Sequence, residues 1–112
     1  MRFDEAKALI LEEGLGRKGL VNTLRRGDEP SAVQVDWVIT AIRAVYEGTR
    51  KDNRLDRDLA CALFNLAGHT RAAVDSWRAR GALYRKDLIA DELPRLAAAV
   101  ESVFNGLWVE SD

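Results

Sequence analysis

Reactive chemistry is scarce in this chain of 112 residues, which holds one cysteine, one histidine, one methionine and two prolines. The lone Cys61 excludes an intrachain disulfide and a cysteine metal cluster. It stands among Leu59, Ala60, Ala62 and Leu63, where the expected role is that of a small buried hydrophobe. No apolar run reaches the roughly twenty residues needed to span a membrane. The opening MRFDEAKALILEE has acids where a secretory signal needs a basic start. The expectation is a cytoplasmic chain with no membrane partner. No segment alternates polar and apolar residues as a half-buried strand does.

What the chain does have is hydrophobic residues, at 47%, and charges, at 31%, in ordinary globular proportion. Residues 1–112 form one domain large enough to bury a core without staples. The formal charge of −1 hides an uneven distribution. Cations are in surplus in residues 14–30 and 59–86, and acids in residues 1–13 and 87–112. Such a chain is no general polyanion binder, but its surface can be dipolar.

Helical periodicity predicts an all-α fold of five or six helices. Phe3, Ala6, Leu9 and Ile10 make a stripe that stops at Gly14; Leu20, Val21 and Leu24 make a second, ended by Gly27. Pro30, Ser31 and Gln34 write a helix start with capping-box spacing. In the next helix, 31–48, the polar positions Asp36, Thr40, Arg43 and Glu47 form only a narrow stripe. After the charged loop KDNRLDRD, Asp56 is placed to cap a segment, 59–67, that is again apolar nearly all round. These two central helices are hard to cover within so short a chain, which argues for a homo-oligomer, most simply a symmetric dimer. Asp87 is placed to cap the last segment, where Leu93, Leu96, Val100, Val103, Phe104 and Leu107 repeat at helical spacing. Pro94 should start or kink a helix there.

Several motifs fail on context. Gly14-Leu-Gly-Arg-Lys-Gly19 matches the dinucleotide fingerprint, but a helical pattern ending in two glutamates precedes it rather than a strand. The expected reading is a loop, with Gly14 ending the first helix in a left-handed turn. The aspartates at 52, 56 and 58 lack the glycine and terminal glutamate of a calcium loop. The remaining carboxylates, Glu92 among them, read as solvated faces. His69 has no glutamate three residues before it and no serine or cysteine in a nucleophile motif beside it. The expectation is a protein that is not an enzyme, with no cofactor and no metal.

Leu59–Gly81 carries the most suggestive pattern. It reads as helix, tight turn at Gly68–Thr70, then an arginine-rich helix. With Gly68 at the turn, Val74 and Trp77 stand at the anchor positions, and GHTRAAVDSWRARGAL looks like the second half of the helix-turn-helix of many bacterial regulators. That resemblance implies Thr70 as helix cap, with Arg71, Arg78, Arg80, Arg85 and Lys86 as DNA contacts. Phe64 departs from the pattern where a small residue is required, as does His69 where an apolar one is usual. A second set, Trp37, Tyr46, Trp77, Tyr84 and Trp108, supplies the residue types that concentrate binding energy at interfaces. The favoured reading is a small non-catalytic helical protein acting through protein–protein contact or self-association in an accessory or regulatory role. The alternative is a helix-turn-helix regulator using residues 59–86.

Overall fold

A computed structural model describes residues 1–110. Helix α1, Phe3–Leu15, leads through a tight loop into the short α2, Leu20–Arg25, and α3 spans Ala32–Thr49. Helix α4 is continuous from Arg57–Phe64 through a π-helical turn, Asn65–His69, to Thr70–Ala79. Helix α5 contains a second π-helical turn, Leu88–Glu92, that runs directly into Leu93–Asn105. The result is a compact all-helical domain whose four long helices, joined by the short α2, are slightly fewer than the five or six expected. Among the described residues there is no strand.

Local signals set several of these boundaries. Ser31 Oγ accepts from Gln34 N at 3.1 Å, and Asp56 Oδ1 accepts from Asp58 N at 2.8 Å, so both expected caps form. Asp87 makes no cap bond, because the helix has already begun before it. Pro94 lies just beyond the π-helical turn of α5, and that wider turn accommodates the donor the proline cannot supply.

The central α3 packs between α1 and α5, and α4 lies against α1. Val35, Val38, Ala41, Ile42 and Val45 of α3 meet Ala6 and Ile10 of α1, Leu59, Leu63 and Leu66 of α4, and Leu96, Val100 and Val103 of α5 in one core. Two expectations about this centre are corrected. Residues 59–67 are the first half of a long helix, and Cys61 and Phe64 on it are exposed rather than core. In α3, Val33 and Trp37 also face outward, 79% and 55% exposed.

The turn expected at Gly68–Thr70 is absent, and the helix runs through it. Glycine costs about 1 kcal/mol in a helix interior, but Leu59, Leu63, Leu66, Thr70 and Val74 bury one face on both sides of the junction. Burying four such aliphatic side chains outweighs that cost. The Thr70 hydroxyl donates to the carbonyls of Leu66 and Ala67, which satisfies the loosened backbone from within.

Gly14 is also not a left-handed helix end. It lies inside α1, and a Cβ there would come within 2.8 Å of Ala62 Cα and Cβ and 2.6 Å of its carbonyl oxygen. This glycine lets α1 and α4 approach closely. Asn65 Nδ2 fixes the crossing by donating to Gly14 O at 3.2 Å.

Candidate interaction surface on the central helix

Residues four and seven apart share a helix face, and on α3 that rule aligns Val33, Trp37, Thr40 and Ala44 along its outward side. Val33, Trp37 and Thr40 are exposed, and Ala44 is half-buried. Thr40 turns its hydroxyl back to Asp36 O at 2.9 Å, which satisfies the oxygen and leaves the methyl group outward. The stripe continues onto the N-terminus. Gly48 lies under the ring of Phe3, which remains 37% exposed, and Met1 is 43% exposed. A trough of about 500 Å³, floored by Ile39, Thr40 and Ala44 and walled by Met1, Arg43 and Trp108, opens beside it.

One flank of the stripe is charged. Arg43 Nε bonds Glu47 Oε1 at 3.1 Å, while Asp36 Oδ1 accepts from Arg95 Nη2 at 2.8 Å. Arg95 also reaches Asp91 at 3.1 Å, and these two carboxylates, the bonded Asp36 first, raise its already high pKa. These are surface pairs of small individual worth. Their effect is to hold charge at fixed positions beside the apolar stripe.

Trp108 and Val109, beyond α5, fold back over the same region. Trp108 N donates to Tyr46 Oη at 3.1 Å, and Val109 N donates to Ser102 Oγ at 2.7 Å. The Trp108 ring meets Tyr46 edge-on at 5.3 Å, with the Arg43 guanidinium 4.2 Å from the indole centroid. Such a stacked cation stabilises by about 0.5–1 kcal/mol at an exposed site.

The five aromatic candidates therefore occupy different settings. Trp37 alone is exposed; Tyr46 is buried beneath Trp108, and Trp77, Tyr84 and Trp108 are half-buried. Trp77 lies on Gly27, whose φ of 85° a side chain would strain, and donates its indole N–H to Arg25 O at 3.1 Å. The Tyr84 hydroxyl is buried without a partner among the described residues, and burial followed by Glu29 and Asp28 pushes its pKa up.

The six residues of the helix-turn-helix reading, Thr70 as cap and the five basic contacts, are likewise dispersed. Thr70 is buried in the junction of α4, and Arg71 pairs with Asp75 at 3.4 Å. Arg80 lies 5.1 Å over the Trp77 ring, and Arg78 is exposed on the same helix. Arg85 turns inward to Glu92 and Glu29, whose carboxylates raise its pKa, and Lys86 is exposed at the start of α5. The helix-turn-helix arrangement is not the geometry of this segment.

Val33 and Met1 belong to this surface although no motif in the sequence marks them, and Arg43 comes to it from the polar stripe of α3. The usable signal was the spacing of Val33, Trp37 and Ala44, which falls beside the polar stripe rather than opposite it. Comparison with protein-family models, curated proteins and solved structures finds no match.

Proposed function

We propose that this protein acts through protein–protein contact, and that the first partner of the α3 surface is a second copy of the same chain. The observation that carries this reading is the stripe's self-complementarity. Its N-terminal half presents the large Val33 and Trp37, while its C-terminal half presents the small Ala44 and the Gly48 position capped by Phe3. Antiparallel pairing of α3 with its twin, about a twofold axis near Thr40, lays each Trp37 on the partner's small Ala44. The same pairing brings like flanks together, so each Asp36 faces an Arg43 across the axis. A twofold interface needs this reciprocity, because one patch must serve both sides.

The pairing adds apolar burial and two symmetric ion pairs at the rim. A single helix pair with its borders lies toward the small end of specific interfaces, which corresponds to a dynamic dimer rather than an obligate one. An adaptor or regulatory role follows from a face that exchanges partners.

Sedimentation equilibrium over a dilution series tests the reading. Wild type should associate reversibly, and Trp37→Glu should be monomeric with an unchanged helical spectrum, since Trp37 is more than half exposed. Asp36→Arg and Arg43→Asp should each weaken association through like-charge contacts, and an equimolar mixture of the two should restore it. A wild type that stays monomeric throughout, or a Trp37→Glu variant that dimerises equally well, would overturn the proposal.

A further inference from the structure

The two basic stretches of the sequence, 14–30 and 59–86, meet on one face. Helix α2 packs against the Thr70–Ala79 part of α4. The contacts are continuous: Arg26 Nη1 donates to Arg17 O at 3.1 Å, Arg25 bonds the His69 ring, and Trp77 donates to Arg25 O. Arg80 then covers Trp77.

Three acids beside this face are matched: Asp28 pairs with Arg26 at 3.5 Å, Asp75 with Arg71 at 3.4 Å and Glu29 with Arg85 at 2.7 Å. Glu13 accepts from Leu20 N and Gln34, and Glu12 lies against Gly16; neither has a cation partner among the described residues. Arg17, Lys18, Arg25 and Arg80 are all exposed, and none has a carboxylate partner among the described residues. In a chain with a formal charge of −1, this concentration is local. Gathering like charges on one face disfavours the fold unless an anion offsets it.

We infer that this face binds the sugar–phosphate backbone of duplex nucleic acid, without reading bases. Three of the four unmatched cations are arginines, whose planar fork fits phosphate oxygens. On the outer side of the Thr70–Ala79 part of α4 the exposed residues Ala72, Ser76 and Ala79 are small or polar. A single strand would stack successive bases on a row of open rings, but the Trp77 ring is seated on Gly27 and covered by Arg80, and Phe64, 62% exposed beside His69, is a single ring. Phosphate contacts alone position a duplex and carry no sequence information. The site needs no turn in α4 and does not depend on self-association through α3.

Fluorescence anisotropy with a labelled mixed-sequence duplex provides the test. If about four phosphates are neutralised, affinity falls on the order of a hundredfold between about 50 and about 200 mM salt. The double variant Arg17→Glu/Lys18→Glu alters two exposed side chains without side-chain partners among the described residues. It should bind at least about tenfold more weakly at the lower salt, with the logarithmic salt slope reduced by about two. Should that variant lose helicity, Arg17→Gln/Arg80→Gln makes the same test with neutral side chains. No anisotropy change with duplex at low salt overturns the inference, as does a folded variant that binds like wild type. Equal affinity for polyglutamate would also overturn it, assigning the face to acidic protein segments instead.

Discussion

The Arg85 guanidinium grips the Glu92 carboxylate with both arms, Nη1 to Oε2 at 2.6 Å and Nη2 to Oε1 at 2.9 Å. Nη2 also donates to Pro30 O at 2.8 Å, and Nε lies 2.7 Å from Glu29 Oε1. One side chain in the α4–α5 connector thus ties the entry to α3 to the wide turn of α5. Glu92 is almost fully enclosed, its side chain 4% exposed, whereas Arg85 is 35% exposed.

Arg85→Met should therefore strand a buried carboxylate and destabilise the protein by about 2–3 kcal/mol, below the range for fully buried pairs because water reaches this one. The double variant Arg85→Met/Glu92→Leu should recover more than half of that loss. Urea denaturation of the four proteins in the cycle checks this; equal loss in Arg85→Met and the double variant would show that the pair is not the source.

Gly68→Ala should stabilise. Nothing lies within 4 Å of the position a Cβ would take, and the backbone there has no positive φ. In a continuous helix the exchange gains about 0.5–1 kcal/mol. In a tight turn needing left-handed backbone it would lose stability instead, so the direction of the thermal midpoint shift separates the two geometries.

Gly14→Ala should act in the opposite direction although its site is equally helical. The added methyl meets the backbone of Ala62, which has no flexible end to yield. Overpacking of this kind costs about 1–3 kcal/mol. Ala62→Gly in the same chain should not return the loss, measured by urea denaturation, because the carbonyl oxygen at 2.6 Å and the Cα at 2.8 Å remain in place.

Asp56 links α1 to the start of α4. It accepts from Lys7 Nζ at 2.8 Å and caps α4 through Asp58 N and Leu59 N. The Lys7 bond, followed by the backbone bonds, lowers its pKa below the ordinary carboxylate value. A depressed carboxylate contributes stability that is present above its unfolded pKa and lost as pH falls through the folded one. Thermal midpoints of wild type should thus fall on acidification through the carboxylate range, and Asp56→Asn should remove part of that slope while keeping a cap. Parallel pH profiles for the two proteins would exclude Asp56 as a contributor.

The legibility of the sequence differs from element to element. Ser31 and Asp56 cap as written, because an N-cap bond needs only residues two or three positions away. The apolar spacing of Leu93, Leu96, Val100 and Val103 likewise predicts a face that is buried, whereas Phe104 from the same repeat is 51% exposed. Glycine was harder to read. Gly14, Gly68 and Gly27 look alike as letters, yet one serves a helix crossing, one occupies open space and one adopts left-handed backbone beneath an indole. Which applies depends on what packs against each, and for Gly14 and Gly27 that neighbour is about fifty residues away in the chain.

By itself, the sequence determined an all-helical fold, the two helix starts and the apolar stripes that make the core. Those depend on local backbone propensity and on a repeat of 3.6 residues, both carried by neighbouring letters. Tertiary structure alone decided that α4 runs through Gly68, that Trp37 faces out while Trp77 and Trp108 fold onto their own chain, and that Arg85 turns inward. It also brought two separate basic stretches onto one face. These outcomes depend on long-range burial, where covering Leu66, Thr70 and Val74 together outweighs the local preference of one glycine for a turn.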